Sequence, residues 1–207
     1  MKIKMKNILK ILFLYCISVI FTIPKLFLIS LKKKESFNLI YGLEKSKRIE
    51  NYYRVSLDFN SDLIWDPNIP LPFLEKKIDT IYSIHFLDKL KLIHIERHLK
   101  FCRNNLLKHN GRYIFSVKNS EPYFKSYINK RISLFNKLDN IDHEYQESYF
   151  FQINNVAYSE GNKTMFDKEF IKAIFIKNGF NIKEREFNFT FDNPNKYYDS
   201  IYFVAHK

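Results

Sequence analysis

His85 is the residue whose type and place best suit chemistry. It follows Asp79-Thr80-Ile81-Tyr82-Ser83-Ile84, an apolar run that reads as a buried strand. An unperturbed imidazole titrates at about pH 6.5, so a histidine at a strand end can take the proton of a substrate hydroxyl. A purely structural histidine is the competing reading. Gly42 closes a second apolar run, Phe37–Tyr41. It either turns the chain or lets a ligand approach the backbone. Asp58 follows the run from Tyr53 to Leu57, and Asp66 follows Leu63-Ile64-Trp65. Each is also an ordinary turn residue, Asp66 through its Asp-Pro step. Asp139, Asp142, His143 and Glu144 share a polar stretch and read as solvated charge rather than metal ligands. His94, His98 and His109 lie on or near a helical stretch and read as surface residues. Cys16 and Cys102 stand 86 positions apart, with neither a CxxC pair nor metal spacing. They read as reduced thiols, and no metal is expected.

The elements that must position these residues alternate along the chain. Strands are expected at 37–41, 53–57, 63–65, 79–84 and 112–117. Helices are expected over 91–108, where Leu92, Ile95, Leu99, Cys102 and Leu106 share one face, and over 120–138. Asn110-Gly111 reads as the turn between that first helix and its strand. Residues 43–51 read as a polar loop, and 139–160 as irregular. Asp167 caps a helix over 168–178 that ends at Gly179. Two strands follow, near 181–191 and 199–206, separated by a turn at Asp192-Asn193-Pro194. Alternation implies parallel strands joined by crossover helices, and the terminal pair implies an antiparallel last strand.

The 207 residues, 46% hydrophobic and 17% aromatic, suffice for one core and exclude a wholly disordered chain. The net charge of +12 is uneven. Eight lysines, at 2, 4, 6, 10, 25, 32, 33 and 34, precede the first acidic residue, Glu35. Charge concentrated outside the domain argues against a nucleic-acid-binding protein. Residues 8–31 are strongly apolar, but Lys10, Pro24 and Lys25 leave only Ile11–Ile23 uninterrupted. A spanning helix needs about 20 apolar residues. A spanning segment, an interfacial helix, a helix docked on the domain and a cleaved signal all stay open. Residues 1–34 are therefore a basic, apolar N-terminal helix and a possible membrane anchor, and 35–207 are the domain.

Seven segments of that domain, in order, resemble motifs of the class I S-adenosylmethionine-dependent methyltransferases. Phe37-Asn38-Leu39-Ile40-Tyr41-Gly42 resembles the glycine-rich first motif, LNLGCG. Val55-Ser56-Leu57-Asp58 resembles VDLD, and the stretch from Leu71 to Ser83 resembles LPFPDNSFDVIYS. His85-Phe86-Leu87-Asp88-Lys89-Leu90 resembles HxLEHL. Gly161–Phe166 resembles GHKFMYD, Lys177-Asn178-Gly179-Phe180 resembles KAGF, and Asp199-Ser200-Ile201-Tyr202 resembles DSLY. The subgroup these segments most resemble is the small type 11-like one often encoded near polysaccharide and cell-envelope sugar genes. The resemblance implies a Rossmann-like α/β sheet, mostly parallel with an antiparallel last strand and flanked by helices. It implies S-adenosylmethionine as cofactor, held by Gly42, Ser56, Asp58, Asp66 and Ser83, with His85 as catalytic base.

Three motif positions are altered. Ile40 stands at the family's first glycine, Ser56 at its ribose-binding carboxylate, and Asp88-Lys89 at its Glu-His pair. A branched side chain at Ile40 is expected to crowd the cofactor's methionine part. Replacing a charge-assisted bidentate contact by a hydroxyl costs about 1.5–3 kcal/mol. Two functions follow. One is methyl transfer to a small, sugar or lipid-linked acceptor, in the cytoplasm and near the inner membrane surface. The other is a catalytically inactive relative serving as a binding or scaffold module. Acceptor specificity is expected within 119–160, where Tyr123, Phe124, Tyr127, Tyr149, Phe150 and Phe151 can line a pocket or cover the sheet edge.

Overall fold

In a computed structural model, residues 13, 16, 18–31, 37–42, 49–56, 61–66, 71–72, 74–130, 153–154, 157 and 161–207 are described. Short apolar runs punctuated by turn residues form seven strands: β1 (Phe37–Tyr41), β2 (Tyr52–Ser56), β3 (Leu63–Ile64), β4 (Ile78–Ile84), β5 (Leu107–Lys118), β6 (Asn181–Glu184) and β7 (Ser200–His206). They make one sheet in the order β3-β2-β1-β4-β5-β7-β6. β7 runs antiparallel to both its neighbours, and the other pairs are parallel, as the alternation predicts. Strand order reverses between β1 and β4. In open α/β sheets ligands bind outside the carboxyl ends at that reversal.

Among the described residues the sheet is accompanied by α1 (Ile23–Leu31), α2 (Leu92–Phe101), α3 (Glu121–Ile128) and α4 (Lys168–Lys177). Asp167 caps α4 by accepting from the Phe170 N–H at 2.7 Å, and Gly179 follows with φ +83°. The helix expected over 91–108 is shorter. α2 passes into a single π turn, Cys102–Leu106, and Leu107 already pairs with Ile78. The next pair is Thr80 with Arg112, so Lys108–Gly111 bulge out of register. The expected Asn110-Gly111 turn is this bulge. Two further boundaries move: β6 ends at Glu184 rather than near 191, and α3 ends at Ile128. The loop at 43–48, the stretch 131–152 and the acidic cluster at 139–144 lie outside the described residues.

Side chains alternate across the sheet. Leu39, Tyr41, Ile81, Tyr113, Phe115 and Phe203 belong to the main core, which α2 and α4 cover. The Phe115 ring stacks on Phe175 of α4 at 4.3 Å and on Phe203 at 5.6 Å. Ile40, Tyr82 and Ile84 form a smaller cluster, with Phe191 packed against it. His98 does not sit on the surface. It is buried, contacts the Tyr113 hydroxyl at 2.9 Å, and meets Tyr41 edge-on. It lies three residues after Ile95 and four before Cys102, on the apolar face of α2, so the 3–4 spacing carries it inward.

The described part of the N-terminal apolar segment, from Ser18 to Leu31, folds against the sheet edge. A π turn, Ser18–Thr22, leads into α1, and Leu26 and Ile29 enter the main core. The Thr22 hydroxyl donates to the Ile64 carbonyl at 2.9 Å and accepts from the Ile64 N–H at 3.1 Å. The Lys25 ammonium donates to the Asp62 carbonyl at 2.7 Å. The exposed backbone of β3 is thereby covered, as edge strands require. No helix among the described residues is long and apolar enough to cross a membrane.

Removing the Thr22 hydroxyl strands the Ile64 backbone groups. Thr22→Val should destabilise the protein by about 1–3 kcal/mol in urea titrations monitored by circular dichroism. Burial also pushes the Cys102 thiol and the Tyr41 and Tyr113 phenols well above their ordinary ranges. These groups keep protons in the folded state that the unfolded chain releases, so stability falls as pH rises past about 8.5, and faster past about 10. Cys16 is exposed and Cys102 buried. Ellman titration should therefore reach Cys16 alone in the native protein, and both thiols after denaturation.

Candidate functional site

The carboxyl ends of β1 and β4 meet at the reversal point. Gly42 turns there with φ +76°, and an added Cβ would fall 1.8 Å from the Ile84 carbonyl oxygen. Only a glycine lets the two strand ends approach this closely. Ile40, which stands at the motif's first glycine, lies inside β1 as the apolar run predicts, paired with Tyr82 and 1% exposed. β1 thus runs past the point where the motif's first glycine would stop it.

His85 follows β4 in a left-handed conformation, φ +44°, and its N–H donates to the Ser116 carbonyl at 3.0 Å. That backbone aims the ring between two partners. Nδ1 lies 3.0 Å from Asp88 Oδ2, and Nε2 lies 3.0 Å from the Ser200 hydroxyl. A 3₁₀ turn, Leu87–Lys89, brings Asp88 back under the ring. Asp88 is 1% exposed, and its carboxylate accepts from the Lys118 N–H at 3.2 Å. Its own carbonyl accepts from the Lys163 and Thr164 N–H groups at 2.7 and 3.1 Å. The carboxylate fixes Nδ1 as the protonated nitrogen and leaves Nε2 as the basic one.

The remaining expected residues divide between two places. Ser56 ends β2, where its hydroxyl bonds that of Ser61, and Asp66 follows β3 nearby. Ser83 lies one residue before the end of β4, fully buried. Asp58 lies outside the described residues. The structure therefore joins Gly42 and His85 at the β1–β4 reversal and places Ser56 and Asp66 at the β2–β3 end. Sequence reasoning missed two partners of His85. Asp88 was visible as the acidic position of the HxLEHL-like segment, three residues from His85. Ser200 is 115 residues away and gave no local signal.

Beyond Ser200 opens a cavity of about 680 Å³ between β7 and the loop after β6, lined by Arg185, Phe187, Phe189, Tyr197, Tyr198 and Tyr202. Phe189 and Tyr198 present most of their rings to solvent. Arg185 is held rather than free. It grips the fully buried Asp192 through two bonds of 2.6 and 2.8 Å, between the rings of Tyr82 and Tyr202. Burial pushes the Tyr202 phenol up to about 12. Residues 119–130 do not enter this cavity; Tyr123 is buried, its hydroxyl donating to Asp199 at 2.8 Å.

No family model matches the sequence, and no curated protein does. Solved structures do match. A Burkholderia thailandensis 1,6-didemethyltoxoflavin-N1-methyltransferase, solved with its substrate and S-adenosylhomocysteine, aligns at TM-score 0.52 and 10% identity, over 84% of this chain and 72% of that one. An S-adenosylmethionine-dependent methyltransferase of Archaeoglobus fulgidus aligns at 0.51 and 11%, over 92% and 94%. One from Mesorhizobium loti aligns at 0.50 and 12%, over 89% and 96%. At such identities the likeness is one of fold: the Rossmann-like methyltransferase sheet.

Asp88→Ala leaves His85 and the Lys118 N–H without their buried acceptor, and should destabilise the protein by about 3 kcal/mol in chemical denaturation. Asp88→Asn keeps the shape, and the His85 nitrogen resonances in NMR should then report a changed tautomer balance.

Proposed function

We propose that this chain is an S-adenosylmethionine-dependent methyltransferase whose acceptor is a hydroxyl of a small, sugar or lipid-linked compound, on the cytoplasmic side of the inner membrane. The observation that carries the reading is His85, oriented by buried Asp88, at the strand reversal of a sheet with the methyltransferase strand order. S-adenosylmethionine suits that crevice. Gly42 keeps the strand ends close, and Asp66 and the Ser56 hydroxyl stand at the next strand ends, where an adenosine would lie. Asp58, two residues beyond Ser56 in the sequence and of the same strand parity, is the carboxylate we propose in place of the motif's acidic residue. Ser83, expected among these contacts, is fully buried near the end of β4.

When bound, the cofactor supplies a methyl group on a sulfonium, already activated toward a nucleophile. The chain's own residues have to bind, orient and deprotonate the acceptor. His85 Nε2 accepts the hydroxyl proton, and Asp88 stabilises the resulting imidazolium through Nδ1–H. Ser200 occupies the hydrogen-bonding position at Nε2 and marks where an acceptor hydroxyl would arrive. The aromatic walls beyond it offer flat faces on which a sugar or another ring can stack.

The buried, in-strand Ile40 favours a second reading, a catalytically inactive binding module. Calorimetry separates the two. The enzyme reading expects S-adenosylmethionine to bind at micromolar to submillimolar concentration, and no heat at millimolar ligand sinks it. The binding-module reading expects no heat from the wild type and regained binding in the Ile40→Gly/Ser56→Asp double variant.

A further inference from the structure

The helical segment from Ser18 to Leu31 is apolar on both sides. Thr22, Leu26 and Ile29, spaced four and three apart, face the domain and are buried. Ile20, Phe21, Phe27, Leu28 and Leu31 lie on the opposite side and are exposed, Ile20 and Leu28 at 63% and Phe21 at 66%. A helix that is apolar all round is normally covered all round. The domain covers only one side here, and the outer stripe is contiguous along the segment. Charge indicates what covers the other. Lys32, Lys33 and Lys34 follow the segment directly, Lys2, Lys4, Lys6 and Lys10 precede it, and the first 34 residues contain no acidic side chain. An apolar stripe between clusters of ammonium groups complements acyl chains beneath anionic headgroups.

We propose that this outer stripe seats the protein on the surface of an anionic bilayer, with α1 lying in the interface and the domain carried on its inner face. The inner face stays in the core, so the segment neither spans the bilayer nor leaves the domain on binding. Methyl transfer is not needed for this attachment, which would give a lipid-linked acceptor its meeting place with the cavity.

The test uses the full chain and sedimentation with phosphatidylglycerol vesicles, against phosphatidylcholine vesicles as control. Binding to the anionic vesicles should weaken with salt and be released by alkaline carbonate. Phe21→Ser/Leu28→Ser should lower partitioning by at least about tenfold, since two large apolar side chains leave the interface. Lys32→Gln/Lys33→Gln/Lys34→Gln should lower it about a hundredfold. Phe21 and Leu28 are exposed, and unchanged circular dichroism and Tm verify the fold of every variant. Failure to bind anionic vesicles overturns the proposal, as does binding indifferent to Phe21→Ser/Leu28→Ser or resistant to carbonate. A dimer in light scattering that this pair converts to monomer assigns the stripe to a second copy and overturns it too. S-adenosylmethionine calorimetry on the same variants measures cofactor binding independently of attachment, so a failure of either is distinguishable from a failure of the other.

Discussion

The carboxyl edge of the sheet is organised around one buried carboxylate. Asp88 joins three stretches distant in sequence: its side chain reaches His85 after β4 and the backbone of Lys118 at the end of β5, while its carbonyl holds Lys163 and Thr164. The Thr164 hydroxyl adds a bond to the Leu90 carbonyl at 2.6 Å, and Ser120 binds the Phe166 carbonyl through both its N–H and its hydroxyl. A carboxylate removed from water is tolerable only where donors replace the lost solvation. His85 and the Lys118 N–H do so, and the outcome is an imidazole with a fixed tautomer and a fixed direction.

A buried ion pair performs a comparable task on the other side of the sheet. Asp192 lies fully within the protein and binds Arg185 in fork geometry, with the Asn188 N–H as a further donor at 2.8 Å. This closes the turn of chain that carries Phe187, Phe189 and Phe191. Phe191 then lies flat on Tyr82 at 4.3 Å, over the cluster containing Ile40. The loop after β6 is consequently both a cover for the sheet and a wall of the cavity beside Ser200. Its polar interior rigidifies it, while its outward rings stay available. Acceptor recognition was expected within 119–160. Most of that stretch, with Tyr149, Phe150 and Phe151, lies outside the described residues; among those described, this later loop lines the aromatic cavity beside Ser200.

Strand orientation was legible because it follows from alternation and from the turn joining the terminal pair, which need only coarse periodicity. The cap at Asp167 and the stop at Gly179 were legible because capping is local chemistry. What escaped was long-range or finely balanced. The end of α2 was misplaced because Leu106 and Leu107 continue an apolar pattern that suits helix and strand equally. Only pairing of Leu107 with Ile78 decides for strand. His98 was assigned to the surface by residue type, although its spacing put it among core positions. Ser200 reached His85 through the sheet's topology, which no local pattern encodes.

The same distinction bears on how far fold and activity travel together. A mostly parallel sheet tolerates substitution at its strand ends, because its stability comes from the faces, where Phe115, Phe175 and Phe203 stack irrespective of any ligand. Ile40 illustrates this. Where the motif has a glycine, this chain extends β1 and packs a branched side chain against Tyr82 and Ile84, adding to the second core cluster. Such burial stabilises by about 1.5–3 kcal/mol and draws the residue into the framework. Gly42 has no such latitude, since any side chain there meets the Ile84 carbonyl. The framework thus enforces the turn, while the residues on either side of it are free to follow packing. The chemistry proposed for this edge accordingly rests less on the glycine motif than on the His85–Asp88 pair, whose buried carboxylate leaves it few alternative geometries.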